Sequence, residues 1–232
     1  MNTAQKLQGG HYNSVLFDLD GTLLDTAPDM VAALQELQSA LDYQPIDYLV
    51  GRNNVSNGAV GLLKVGFPDL SEAERLGMMC DFIDRYVRIL HDKTTVFPGV
   101  DELLQKLDDG ARLWGVVTNK PAHLTDPLMK GLDLYDRCAA VISGDTLESR
   151  KPDPAPLLHA CDVGSIDPQR CIYVGDANRD IEAGRRAGMA TVAATYGYIN
   201  DDDDPLQWGA DRIARDPAEL TQIVLKAVNL GF

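Results

Sequence analysis

The most regular feature of the chain is an alternation between short apolar runs and amphipathic segments about ten residues long. The first apolar run, residues 14–18, turns abruptly into Leu19-Asp20-Gly21-Thr22. Four more apolar runs, each preceded by a helical segment, lie at residues 113–117, 139–142, 171–174 and 190–194. Apolar runs bounded by turn residues are typical of buried parallel strands, and their alternation with helices indicates βαβ units. The pattern predicts a doubly wound, parallel α/β sheet with helices on both faces.

A different pattern separates the first run from the other four. From residue 26 to residue 41 apolar positions recur at spacings of three and four, behind a cap candidate, Thr26, and with Pro28 in the first turn. Helical segments are also predicted at residues 56–64, 71–91 and 217–228, and no strand is predicted between 25 and 97. We therefore expect a helical cap, residues 25–97, inserted into a core formed by residues 1–24 and 98–232.

Composition restricts the class of protein and its partners. Of 232 residues 45% are hydrophobic, which excludes a disordered chain, and the formal net charge is −14. Such an acidic surface is unsuited to nucleic acid or to an anionic membrane. A small anionic metabolite needs local countercharge instead, from a metal ion or a lysine. The acidic run at residues 201–204 lacks the spacing of a calcium loop and is read as a solvated surface loop.

Cysteine usage and the chain's N-terminal segment predict the compartment. The four cysteines form no CxxC pair, which favours free thiols in a reducing environment. Residues 1–13 are polar and lack the apolar segment of a secretion signal, and no run approaches the roughly 18 apolar residues of a membrane span. We expect a cytoplasmic protein, a monomer or homodimer. The four histidines match no metal-ligand spacing.

Candidate reactive residues follow the predicted strands. Ligands of open α/β sheets bind outside the carboxyl ends of the strands, so these side chains are expected to meet in one crevice. Carboxylates gathered there need a cation, and oxygen ligands without clustered His or Cys favour Mg²⁺. The residues concerned are Asp18, Asp20, Thr118, Asn119, Lys151, Asp176 and Asp180.

The residue types suit phosphoryl transfer. Asp18 and Asp20 are two positions apart, so in extended chain their side chains lie on one side. One carboxylate can attack phosphorus while the other donates and later removes a proton. Thr22 and Thr118 can bind phosphoryl oxygens, and Lys151 can neutralise their charge. Taken singly, each segment is an ordinary turn or helix cap; the signal is their order and their position after strands.

Four segments together resemble the motifs of the haloacid dehalogenase superfamily, in its phosphoglycolate phosphatase-like branch. They are Asp18-Leu19-Asp20-Gly21-Thr22-Leu23-Leu24-Asp25-Thr26, Val117-Thr118-Asn119-Lys120, Lys151-Pro152-Asp153-Pro154 and Gly175-Asp176-Ala177-Asn178-Arg179-Asp180. The resemblance covers essentially the whole chain and includes the cap inserted after the first motif. It implies a Rossmann-like core and a Mg²⁺-dependent phosphatase acting on a small phosphorylated metabolite.

The resemblance also implies a role for each matching residue. Asp18 would be the nucleophile and a metal ligand, and Asp20 the general acid and base, with its backbone carbonyl on the metal. Thr118 and Asn119 would bind the phosphoryl group, Lys151 would steady nucleophile and phosphate, and Asp176 would complete the metal site with Asp180 behind it. The chain departs from the pattern at Ala177, where many relatives carry Thr or Ser, so a supporting hydrogen bond is expected to be missing.

The retained second aspartate, Asp20, favours phosphate ester hydrolysis, because the dehalogenase branches generally lack it. A phosphomutase and a non-catalytic regulatory protein on the same fold are the alternatives. The segment from Gly51 to Gly58, with Arg52, is either a substrate-recognition loop for a carboxylate or sugar hydroxyls or a polar loop between cap helices. Segments around Trp114, Tyr196 and Trp208 are similar to the subgroup that dephosphorylates N-acetylmuramic acid 6-phosphate.

Overall fold

The structure, a computed structural model, describes residue 7, residues 11–200 and residues 202–231. Most of the polar N-terminal segment considered above, and Asp201 of the acidic run, lie outside the described residues. The helices are α1 Ala27–Ala40, α2 Tyr48–Arg52, α3 Gly58–Gly66, α4 Glu72–Gly77, α5 Met79–Arg88, α6 Val100–Asp109, α7 Ala122–Gly131, α8 Ala155–Gly164, α9 Asn178–Arg186 and α10 Pro217–Ala227. The strands are β1 Ser14–Phe17, β2 Leu24–Asp25, β3 Thr95–Val96, β4 Leu113–Val117, β5 Val141–Ile142, β6 Cys171–Gly175, β7 Ala190–Ala194 and β8 Arg212–Ala214.

Six strands form a parallel sheet in the order β5-β4-β1-β6-β7-β8, which confirms the predicted α/β class. The chain reverses its direction of winding at β1, which pairs with β4 on one side and β6 on the other. Phe17 is in register with Val116 and with Val174. The residues that follow these three strands therefore lie at one edge of the sheet, in the crevice where such folds bind ligands.

Both faces of the sheet are buried, as a doubly wound fold requires. Alternate residues of β1 belong to opposite clusters of apolar side chains, with Val15 and Phe17 in one and Leu16 in the other. The first cluster continues into the helices between β2 and β3 through residues such as Leu34 and Phe82. No helix in the described parts of the chain is long and apolar enough to cross a membrane.

A two-stranded ribbon marks the place where the chain leaves the core and returns to it. Leu24–Asp25 (β2) pairs antiparallel with Thr95–Val96 (β3), so the prediction of no strand between residues 25 and 97 was wrong. The Asp29 carboxylate, near the start of α1, accepts hydrogen bonds from the backbone amides of Lys93 and Thr94 and from the Thr94 hydroxyl. Two residues of pairing are too short to show in a hydrophobic pattern. The cap and core bounds stay a prediction.

Other differences involve short elements. Helix α2 and strand β8 were not predicted, and the predicted helix over residues 71–91 is divided into α4 and α5 at Met78. Gly77 ends α4, and glycine is the weakest helix former after proline. Arg52 ends α2, and a 3₁₀ turn, Val55–Asn57, follows it, so the segment from Gly51 to Gly58 is largely helical. All four cysteines are free thiols.

Candidate active site

Asp18 lies directly after the central strand β1 and is almost fully buried. Its backbone amide donates to Val174, which continues the pairing of β1 with β6. Its Oδ1 accepts from the backbone amide of Leu19 at 2.8 Å and lies 2.8 Å from Lys151 Nζ. Within the described residues Oδ2 makes no hydrogen bond. The carboxylate is thus held through one of its two oxygens.

Lys151 is buried among oxygen atoms. Its Nζ donates to the Val117 carbonyl and the Tyr173 hydroxyl, both at 2.9 Å, and forms ion pairs with Asp18 at 2.8 Å and Asp180 at 2.7 Å. Burial, together with the nearby carboxylates, raises the pKa of Tyr173 well above its usual value, so this hydroxyl stays protonated. The peptide bond from Lys151 to Pro152 is cis.

Three carboxylates form an acidic cluster that could hold a cation. Ligand oxygens of Asp18, Asp176 and Asp180 lie within 4.8 Å of one another, and all three residues are buried. Asp176 Oδ2 accepts from the backbone amide of Tyr198 at 2.9 Å and from the Ser56 hydroxyl at 2.6 Å. Asp176 Oδ1 is buried and has no hydrogen-bond partner among the residues that the structure describes. A buried carboxylate oxygen without a donor fits a metal ligand, so the residues present suit a hard cation.

The raised pKa values of two carboxylates in this cluster also support a cation site. Burial and the charges of Asp18 and Asp180 raise the pKa of Asp176 to about 8. Burial and the Asp18 charge also raise the pKa of Asp180, although Lys151 and Arg179 oppose this shift. Like charges held together in a dry site favour protonation, and a divalent cation removes that tendency.

Asp180 contacts both the start of helix α9 and the Lys151 ammonium group. Its Oδ2 accepts from the backbone amide of Ala177 at 3.0 Å and so caps the start of α9, while its Oδ1 forms the ion pair with Lys151 without hydrogen-bond alignment. The Ala177 side chain gives no cap to α9, as its lack of a hydroxyl dictates.

Asp20 faces the same cavity as Asp18 but has other partners. Its Oδ1 accepts from the Thr26 hydroxyl at 2.6 Å and from Lys120 Nζ at 3.0 Å. The hydroxyl of Thr26, a cap candidate by sequence, therefore orients Asp20 instead of capping α1. The two aspartates are thus held by separate groups.

The residues after β4 are fixed by their neighbours. Thr118 lines the cavity, and its hydroxyl accepts from the backbone amide of Lys120 at 3.1 Å. The Asn119 side chain exchanges two hydrogen bonds with the backbone of Lys151, both at 3.1 Å. Asn119 therefore joins the segment after β4 to the segment that carries Lys151.

Two predicted binding residues lie away from the cavity lining. The hydroxyl of Thr22 is buried, and no residue in the described parts of the chain forms a hydrogen bond with it. Arg52 donates to the carbonyl oxygens of Tyr196 and Gly197, both at 3.1 Å, and its guanidinium lies over the Tyr198 ring. Arg52 thus contacts the core backbone.

Sequence reasoning gave no role to three polar residues of the cavity. Ser56, in the 3₁₀ turn, donates to Asp176, and its carbonyl accepts from Arg179 at 2.7 Å. Lys120 is buried between Asp20 and Tyr86. Burial alone would lower the pKa of Lys120, but Asp20 and Tyr86 raise it above its ordinary value. Lys120 and Arg179 lie inside the quoted motifs, and Ser56 lies in the segment from Gly51 to Gly58, so their positions were the available signal.

The cavity next to the two aspartates has a volume of about 560 Å³. Apolar side chains cover its cap side, among them Met30, Met79 and Ile83. Exposed His123 and Arg150 border it on the core side. A site of this kind can hold a phosphate at the aspartates and a larger, partly apolar group above it.

Comparison with known proteins gives consistent similarities. The model of the haloacid dehalogenase-like hydrolase family matches residues 15–194. The chain is 44% identical over 207 residues to a phosphoglycolate phosphatase of Xanthomonas campestris, covering 89% of this chain and 94% of that protein. It is 41% identical over 216 residues to an N-acetylmuramic acid 6-phosphate phosphatase of Pseudomonas putida, covering 93% and 97%.

A solved structure shares the fold. It is that of a predicted phosphoglycolate phosphatase from Haemophilus somnus, with a TM-score of 0.80 and 27% identity. The similarity covers 92% of this chain and 98% of that one.

Proposed function

The chain belongs to the haloacid dehalogenase-like hydrolase family, and from this premise we propose that it hydrolyses a small phosphorylated metabolite through a phosphoryl group carried on Asp18. It is a phosphoric monoester hydrolase, as its relatives of 41–44% identity are named. The observation that carries the proposal is the Asp18 carboxylate, whose Oδ1 is held by Lys151 and whose Oδ2 is free beside the cavity.

A divalent cation, Mg²⁺, belongs to the proposal. Asp18, Asp176 and the backbone carbonyl of Asp20 would hold it, with Asp180 behind them, and the partnerless Oδ1 of Asp176 supports this choice. Bound there, Mg²⁺ would supply positive charge beside the phosphoryl oxygens.

The chain's own residues account for the two half-reactions. In the first, Asp18 Oδ2 attacks phosphorus, and Asp20 gives a proton to the leaving oxygen as its bond to phosphorus breaks. Thr118 lies beside the phosphoryl group and Lys151 offsets its charge. In the second, the Asp20 carboxylate removes a proton from water, which attacks phosphorus and releases Asp18. No nucleic acid or membrane takes part in this scheme.

The cavity favours a leaving group larger than glycolate. A volume of about 560 Å³ with apolar side chains on the cap side exceeds what a two-carbon acid fills. A phosphoglycolate phosphatase-like activity and an N-acetylmuramic acid 6-phosphate phosphatase activity are both consistent with the relatives. The cavity supports the sugar phosphate, because its acetyl and lactyl groups can cover Met30, Met79 and Ile83.

Two experiments test the proposal. Asp18→Asn is expected to lower phosphate release by on the order of 10³ or more and to leave no phosphoryl group on the acid-quenched protein by mass spectrometry. Asp162→Asn, on the exposed face of α8, is the matched control and should keep wild-type activity. A fully active Asp18→Asn protein would refute the scheme. Isomerised sugar phosphate without free phosphate would indicate a mutase.

A panel of phosphate esters with Mg²⁺, compared by kcat/KM, tests the leaving group. It includes phosphoglycolate, hexose phosphates and N-acetylmuramic acid 6-phosphate. We expect the largest value for the muramic acid ester. Turnover of phosphoglycolate orders of magnitude faster than any sugar phosphate would contradict the argument from cavity size.

A further inference from the structure

The ammonium group of Lys120 lies between Asp20 of the core and Tyr86 of helix α5. Its Nζ is 3.0 Å from Asp20 Oδ1 and 3.0 Å from the Tyr86 hydroxyl oxygen, and it lies 4.7 Å from the centre of the Tyr86 ring. Only 5% of the side chain is exposed, so water does not replace these partners. Its Nζ also donates to Met30 Sδ at 3.9 Å, so the three donors of this buried ammonium have three acceptors, which fix its orientation.

Asp20 receives two hydrogen bonds, and both end on the same oxygen. Thr26 and Lys120 donate to Oδ1, and within the described residues Oδ2 makes no hydrogen bond. A protonated carboxyl group with two donors on Oδ1 carries its proton on Oδ2. Lys120 and Thr26 thus determine which oxygen of Asp20 is free to exchange a proton with the contents of the cavity.

We propose that Lys120 is a positioning residue for proton transfer by Asp20 and that Tyr86 holds Lys120 in place. This inference rests on the proposed function, in which Asp20 protonates the leaving oxygen. As the bond between Asp18 and phosphorus forms and the bond to the leaving oxygen breaks, the proton on Asp20 Oδ2 passes to that oxygen. Asp20 becomes a carboxylate, and its contact with the Lys120 ammonium stabilises the new charge.

Leaving groups of different basicity distinguish this role from a structural one. The p-nitrophenolate ion leaves phosphorus without a proton, whereas the alkoxide of an alkyl or sugar phosphate needs one. Lys120→Met is therefore expected to slow phosphorylation of Asp18 by the wild type's best alkyl phosphate at least about tenfold, a part of the 10²–10⁴ that general acid catalysis contributes. The same step with p-nitrophenyl phosphate should change less than about threefold. Single-turnover quench-flow measurements give both rates.

Tyr86→Phe is the milder second variant and decides the matter if Lys120→Met does not fold. It keeps the buried ring and removes the hydroxyl that anchors Lys120, so the same selective loss is expected at about threefold to tenfold. Matched controls come from a second lysine and tyrosine pair, in which Lys130 Nζ lies 4.7 Å from the Tyr135 ring, away from the cavity lining. Lys130→Met and Tyr135→Phe should alter neither rate.

The Asp20→Asn protein separates the two hypotheses. If it shows the selective loss with alkyl phosphates and the variants of Lys120 and Tyr86 do not, the positioning role is overturned while the proposed function stands. If Asp20→Asn slows both substrates equally, the proposed function fails. An equal loss on both substrates in Lys120→Met, or a change in KM alone, would also overturn the positioning role, because it would make Lys120 a substrate ligand or a packing residue.

Discussion

Replacing Gly21 with alanine is expected to damage the fold and the cation site together. Gly21 has a φ of +82°, and a Cβ atom placed on it would lie 2.0 Å from Asp176 Oδ2 and 2.9 Å from Cδ2 of the Tyr198 ring. Left-handed backbone costs a residue with a Cβ about 1–2 kcal/mol. Overpacking a tight site costs about 1–3 kcal/mol more. The substitution should therefore lower the free energy of unfolding by about 2–5 kcal/mol and move Asp176.

Two other glycines separate these contributions. Gly188 has a φ of +80° with no atom within 4 Å of its would-be Cβ, so Gly188→Ala carries the backbone cost alone, about 1–2 kcal/mol. Gly197 has no positive φ, but its Cβ would lie 2.4 Å from Asp176 Cβ, so Gly197→Ala carries the crowding alone, about 1–3 kcal/mol.

The assay is urea unfolding of the three variants with and without Mg²⁺, together with calorimetric titration of Mg²⁺. Gly188→Ala should bind Mg²⁺ like the wild type, and the variants at Gly21 and Gly197 should bind it more weakly because Asp176 is displaced. If Gly21→Ala loses no more stability than Gly188→Ala and binds Mg²⁺ unchanged, the close approach of Gly21 to Asp176 does not constrain the site, and the reasoning is refuted.

Three further predictions concern the metal-free cluster, the lysine that steadies Asp18, and the cap contact. Burial raises the pKa of Asp176 from 3.8 to about 8, so the stability that the protonated Asp176 contributes is fully present below pH 3.8 and is lost as the pH rises through about 8. Melting curves should therefore show that Mg²⁺ stabilises the protein more at about pH 9 than at about pH 6. Asp176→Asn should remove that difference. Tyr173→Phe removes a donor to Val117 and an acceptor for Lys151, so urea unfolding should show a loss of about 1–3 kcal/mol, and a smaller loss would contradict the burial argument. Arg52→Ala should raise KM for carboxylate-bearing and neutral esters by the same factor, since Arg52 contacts backbone carbonyls; a selective loss with phosphoglycolate would instead make it a substrate ligand.

The long elements and the order of the candidate site could be predicted from local sequence. Strands β4 and β7 have the predicted bounds, because a short apolar run enclosed by turn residues is typical of a strand buried on both faces. The site aspartates follow strands, so the parallel sheet alone brings Asp18 and Asp176 to one edge. The roles of these residues in catalysis stay a prediction.

The partners of the site residues were decided by the tertiary structure. Thr26 has the sequence signature of a helix cap, but its hydroxyl reaches Asp20. Lys120 meets Tyr86 across 34 positions, and Ser56 meets Asp176 across 120. Strand β3 has two residues and forms only because β2 is beside it. Hydrophobic periodicity and turn chemistry act over a few residues and are written in the sequence, whereas a side-chain hydrogen bond between distant segments exists only after packing has brought its donor and acceptor together.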